Sequence, residues 1–117
     1  MGAYIQMEMV MRRNKYGAIK TVVNGNTCDS KLEAKHYGTL LILEKAGKIK
    51  DLIFHPRYKI EVLGIKVCTV VLDFQYIDCS TLNTHYIDSK GVYTSESKLR
   101  HKLLEITHNI KVEIWRA

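Results

Sequence analysis

The segment Ile110 to Trp115 (IKVEIW) alternates apolar and polar side chains without a fault. Strand side chains alternate between faces, so the pattern predicts a half-buried strand near the end of the chain. Upstream, TSESKLRHKLLEITHN changes period: Leu99, Leu103 and Ile106 recur at i, i+4 and i+7. That spacing predicts a helix with this stripe against the core. A longer helix is predicted over DSKLEAKHYGTLLILEKAGKIKD. Ser30 is its expected N-cap, Glu33 completes a capping-box pattern three residues later, and Gly47 stands where a C-terminal cap belongs.

Three strands are expected between the helices. LIFHPRYKIEVLG is the first, with the single proline, Pro56, at an edge or bend. IKVCTVVLDFQYID is the second and more buried, and THYIDSK the third, joined to it by a loop around DCSTLN. Ahead of the first helix, Asn24-Gly25 between two β-prone runs predicts a hairpin. Residues 1–13, with four methionines and the Arg12-Arg13 pair, read as a basic N-terminal arm. Helix, three strands, helix, strand (αβββαβ) predicts one α/β domain over residues 1–117. Its mixed central sheet would be flanked by helices. The last strand, which follows a helical crossover, should run parallel to a neighbour.

Composition narrows the classes little. Of 117 residues, 46% are hydrophobic and 26% charged, as in ordinary globular domains. No apolar run approaches 18 residues, so no membrane segment is expected. Cys28, Cys68 and Cys79 are scattered, with no CxxC pair, which fits reduced thiols and a cytoplasmic location. Lysine and arginine exceed the acids by six, which suits a polyanionic partner, although such a charge also serves solubility.

The chemistry lies in the charges. On the second strand Cys68, Val70, Leu72, Phe74 and Tyr76 form one apolar face, and Asp73 interrupts the other. A buried carboxylate needs a partner or a cation. An assumed hairpin register with Gln75 opposite Tyr86 sets Asp73 opposite Asp88. The spacing of two puts Lys90 on the face of Asp88. Opposed carboxylates repel, and a divalent cation such as Mg²⁺ or Mn²⁺ reverses that repulsion. On the first helix, at about 100° per residue, Glu33 falls inside the arc of Leu32, Tyr37, Leu40 and Leu43, so it should point inward toward the same cluster. Each signal has a plainer reading. Glu33 can be a capping residue only, Asp73 can pair with a lysine, and Asp88 and Lys90 can form a strand-end ion pair.

The order helix Glu33, strand Asp73, then Asp88-Ser89-Lys90 resembles the PD-(D/E)XK nuclease superfamily, whose restriction-endonuclease-like core has the element order read above. Leu72 stands where the superfamily's name has proline. From Asn14 onward the chain is also similar to a family of small phage-encoded proteins, uncharacterised or described as endonucleases. That family is often grouped with phage Holliday-junction resolvases. The resemblance implies an Mg²⁺-dependent endodeoxyribonuclease. Asp73, Asp88 and the Ser89 carbonyl would hold the ion. Glu33 would complete the outer shell or hold a second one, and Lys90 would orient the attacking water. It also implies a bacterial host cytoplasm and a homodimer, because cutting a junction symmetrically needs two sites.

DNA contacts are expected from Lys98, Arg100, His101 and Lys102 on the second helix, and from Arg12, Arg13, Lys15, Tyr16 and Lys20 near the start of the chain. For any one of these, a solvated face is the simpler reading. Such contacts go to phosphates, and no base-reading motif is present, so branched or junction DNA is expected over a fixed sequence. The alternative is a non-catalytic basic DNA-binding phage protein.

Overall fold

A computed structural model describes residues 10–13 and 19–117. In chain order the elements are β1 (Val10–Arg13), β2 (Ile19–Val23), β3 (Asn26–Cys28), α1 (Lys31–Lys45), β4 (Ile49–Phe54) and β5 (Arg57–Val62). They continue with β6 (Ile65–Val71), β7 (Phe74–Asp78), β8 (Thr84–Ser89), α2 (Ser95–His108) and β9 (Val112–Trp115). The central sheet has the order β4-β7-β8-β9. Its first two pairs are antiparallel, and β8 and β9 are parallel, as the helical crossover requires. This is the mixed α/β arrangement expected from the sequence, compatible with a restriction-endonuclease-like core.

Local chemistry explains the helix ends. Ser30 Oγ accepts the Glu33 amide N–H at 3.1 Å, while the Glu33 carboxylate accepts the Asp29 amide N–H, one residue earlier than a capping box would have it. At the other end, Lys48 N–H bonds to the Leu43 carbonyl and Gly47 N–H to that of Glu44. Gly47 has φ +76°, the left-handed cap for which glycine is suited. Asn24 and Gly25 both have positive φ and close the β2–β3 hairpin.

Three expectations are corrected. The arm is not wholly separate, because Val10–Arg13 pair with β2 and make the N-terminal hairpin a three-stranded sheet; residues 1–9 lie outside the described residues. The first two core strands are each broken, at His55-Pro56 and at Leu72-Asp73. Proline lacks the N–H a continuing ladder needs, and the two breaks lie side by side: His55 N–H bonds to the Asp73 carbonyl and Leu72 N–H to that of Pro56. β5 and β6 therefore form their own two-stranded ribbon.

The third correction concerns α2. Leu99 and Ile106 are 61% and 70% exposed, whereas His101 and Leu104 are buried and Leu103 is half-buried. The helix is rotated from the phase its leucines suggest. A histidine can occupy the core side because both ring nitrogens are bonded there, which removes most of the cost of burying it.

Two clusters fill the faces of the sheet. Tyr37, Leu40 and Leu41 of α1 pack with Phe74, Tyr76 and Ile87. Leu104 joins Ile60, Val70, Leu72 and Ile110, with Tyr86 and Val112 against them. Successive residues Tyr86 and Ile87 thus serve opposite layers, as strand alternation demands. We expect Leu104→Ala to cost about 2–5 kcal/mol in denaturant unfolding, as for other buried leucines. Leu99→Ala should stay within about 0.5 kcal/mol of wild type. The reverse order would show the helix in the other phase.

Candidate active site

Asp73 lies just before β7 and Asp88 near the end of β8, so antiparallel pairing brings them to the same end of the sheet. Gln75 opposes Tyr86 and Phe74 opposes Ile87, the register assumed from the sequence; one step further sets Asp73 against Asp88. Ser89 N–H donates to Asp73 Oδ2 at 2.7 Å. Glu33 is 2% exposed and points inward from the first turn of α1, as its place in the helical arc predicts. Lys90 Nζ stands 3.4 Å from Asp88 Oδ2.

The electrostatics follow from this crowding. Burial, then the charges of Glu33 and Asp88, push the Asp73 carboxyl up to about 9, against the lowering bond from Ser89. Burial also acts to raise Asp88. It is outweighed by hydrogen bonds from His101 and Asp73 and by the Lys90 charge, which hold Asp88 below the usual carboxylate range. At neutral pH Asp73 thus keeps a proton and shares it with an ionised Asp88. The same negative surroundings act on Cys28, where burial and then Glu33, Asp73 and Asp29 push the thiol up to about 12. Cys28 is therefore a thiol in the wall of the site, and neither a nucleophile nor a soft metal ligand.

Three residues at this end, Asp29, His36 and His55, were not singled out by sequence reasoning, and a fourth, His101, was expected there only as a DNA contact. His55 Nε2 meets Glu33 Oε1 at 2.5 Å. With Asp29 these two form a group whose donor atoms lie within 4.8 Å of one another. His55 takes φ +53°, unusual outside glycine, at the break before Pro56. His36 on α1 bonds Ser89 Oγ at 2.6 Å and the Arg116 carbonyl at 3.1 Å. Burial, helped by the Lys35 charge, lowers its pKa against the raising bond to Arg116, and so favours the uncharged ring.

His101 on α2 approaches Asp88 Oδ2 at 2.9 Å, and its Nδ1 meets the Tyr93 hydroxyl at 2.6 Å. His101 is thus removed from the solvated basic face on which the sequence placed it. The signals that could have found these residues are slight: a His-Pro step inside a strand, and a histidine three residues before a core leucine.

The expected DNA-contacting residues divide. Lys98, Arg100 and Lys102 are exposed on α2. Arg100 is paired with Glu96 at 3.1 Å and Lys102 with Glu105 at 3.9 Å, exposed ion pairs of small energy that a phosphate could displace. Lys98 Nζ lies 5.5 Å from the centre of the Tyr93 ring. Lys20 is half-buried on β2. Arg12 and Arg13 belong to β1, and their side chains, like Lys15 and Tyr16, lie outside the described residues. No helix among the described residues is long and apolar enough to cross a membrane.

Fold and site together define a mixed α/β protein with an acidic cluster and one lysine at the strand ends. The chain belongs to the family described as "Protein of unknown function (DUF1064)", whose model matches residues 13–117. No curated protein and no solved structure matches it.

The raised Asp73 makes a stability prediction. Its folded pKa lies above its unfolded one, so the folded state holds the extra proton and stability falls as pH rises from about 4 toward about 9. Asp73→Asn removes that dependence. Without divalent ions, the melting temperature of the variant should exceed wild type by more at pH 8 than at pH 5. The corresponding difference in unfolding free energy should widen by at most about 1.4 kcal/mol per pH unit. A constant gap would show that Asp73 is not crowded by its neighbours.

Proposed function

We propose that this protein is a divalent-metal-dependent DNA endonuclease that hydrolyses phosphodiester bonds and selects DNA by shape, as at a branch or four-way junction. What carries the reading is the convergence of Glu33, Asp73, Asp88 and Lys90 at one end of a mixed sheet. They arrive on the elements, and in the order, that the PD-(D/E)XK resemblance implies.

The donor chemistry fits a hard cation. Asp73 and Asp88 are oxygen donors forced together, and a divalent ion in place of the shared proton relieves their repulsion. Asp73 and Asp88 would hold Mg²⁺ or Mn²⁺, with the Ser89 carbonyl as a further oxygen. Glu33 is turned toward His55 and Asp29, with which it forms the second group of donors, and its charge acts on Asp73. The ion would supply Lewis-acid activation of the phosphate and of the attacking water.

The protein's own groups do the rest. Lys90, on the face of Asp88 and partly exposed, is placed to orient the water and to offset negative charge on the phosphate as it becomes five-coordinate. The water oxygen bonds to phosphorus, one phosphorus–oxygen ester bond breaks, and the departing oxygen takes up a proton. Exposed Lys98, Arg100 and Lys102 would grip phosphates beside the cut, which gives salt-dependent affinity without base choice. A junction cutter of this size needs a second copy for the second strand.

With Mn²⁺ or Mg²⁺ the protein should nick four-way-junction DNA. Asp73→Asn and Lys90→Ala should each lower the rate by at least about 100-fold while junction binding in a gel-shift assay survives. Cutting at wild-type rate by Asp73→Asn would remove the proposed site. Binding without cutting under any divalent ion would leave a DNA-binding protein instead.

A further inference from the structure

We infer that His101, locked by Tyr93, is the residue that positions the Asp88 carboxylate for its cation. The inference rests on the nuclease reading above and adds to that site a residue from the second helix.

A carboxylate turns readily about its last torsion, because that torsion joins tetrahedral to planar carbon and has broad minima. A metal ligand must therefore be held by something outside the metal. Apart from Asp73, whose shared proton the cation would replace, two donors meet Asp88, both on Oδ2: His101 Nε2 at 2.9 Å and Lys90 Nζ at 3.4 Å. They are not equivalent. The Lys90 side chain is 27% exposed and sits on a flexible stem, whereas the His101 side chain is 9% exposed.

The histidine ring is itself fixed. Its Nδ1 is bonded to the Tyr93 hydroxyl at 2.6 Å, so turning the ring over would break both of its hydrogen bonds at once. If Tyr93 donates to Nδ1, the proton of a neutral ring must lie on Nε2, which makes Nε2 the donor to Asp88. The helix carrying the ring is anchored one turn later by Leu104, which is fully buried among Ile60, Val70, Leu72 and Ile110. Asp88 Oδ2 is thus tied through a rigid ring to the core on the α2 side of the sheet.

This assigns different work to the two donors. His101 holds the plane of the carboxylate, so Lys90 can leave Asp88 and turn to a phosphate without freeing the ligand. It also explains why a polar residue occupies a core position on α2 while Leu99 and Ile106 face outward. His101 is a positioning residue: it acts on the ion through Asp88 and need not touch DNA.

The test is calorimetric titration of the full chain with Mn²⁺ alone, without DNA, beside a thermal melt of each variant. His101→Ala should weaken Mn²⁺ binding roughly 10–100-fold, the range for lost partners of metal ligands. His101→Gln, whose amide nitrogen can stand where Nε2 stands, should recover most of the affinity. Tyr93→Phe, which keeps the ring and loses only the hydroxyl, should give a smaller loss in the same direction. In single-turnover cutting the variants should be rescued by raised Mn²⁺, with junction affinity unchanged.

Wild-type Mn²⁺ affinity in both His101→Ala and Tyr93→Phe would overturn the inference and leave the nuclease reading standing. So would a drop in melting temperature with no change in affinity, the mark of a merely structural histidine. If His101→Ala does not fold, Tyr93→Phe and His101→Gln decide the matter by the same readout. No Mn²⁺ binding by the wild-type protein would sink both readings together.

Discussion

The opposition of Asp73 and Asp88 across the β7–β8 pair sets the terms for everything around it. Like charges facing each other across a ladder destabilise the pair, and burial removes the water that would screen them. The structure meets this with N–H donors from Ser89 and His101 and with Lys90 close by, while the crowding raises the Asp73 pKa and so favours its protonated form. Each compensating group comes from a different direction: the strand's own backbone, the helix behind the sheet, and the strand end. The site is therefore assembled by the fold as a whole, and a fault in sheet register would undo it.

Glu33 enters from the opposite layer under a different constraint. Its carboxylate does two local jobs, closing the start of α1 through the Asp29 N–H and holding the His55 ring. A capping role and a role in the cluster were alternatives in the sequence, and the geometry makes them compatible. One oxygen satisfies the helix end while the other faces the strand break. His55 is brought there by a left-handed backbone conformation, and its N–H bond to the Asp73 carbonyl ties that break to the acidic pair.

Much of this was legible in the sequence, for identifiable reasons. Helix α1 announced itself through Ser30, Glu33 and Gly47 because caps are short-range chemistry. The Asp73–Asp88 opposition was legible because strand alternation and one hairpin register fix it. The phase of α2 was not, since a reading by hydrophobicity gives Leu99 more weight than His101. Only the three-dimensional placement of Asp88 and Tyr93 tells that the histidine is satisfied in the interior. The strand breaks escaped as well, because Pro56 allowed either an edge or a bend, and the matching break at Leu72-Asp73 has no proline to mark it.

Those paired breaks separate the β5–β6 ribbon from the acidic end of the sheet. The ribbon closes at Leu63-Gly64, both with positive φ, and Leu63 is almost wholly in solvent. Two-stranded ladders repeat every two residues, so the tip can gain or lose residues in matched pairs while every side chain keeps its face. Nothing at the acidic end need shift when it does. Evolution, or an engineer seeking a place for a dye or a tether, is free to vary length there.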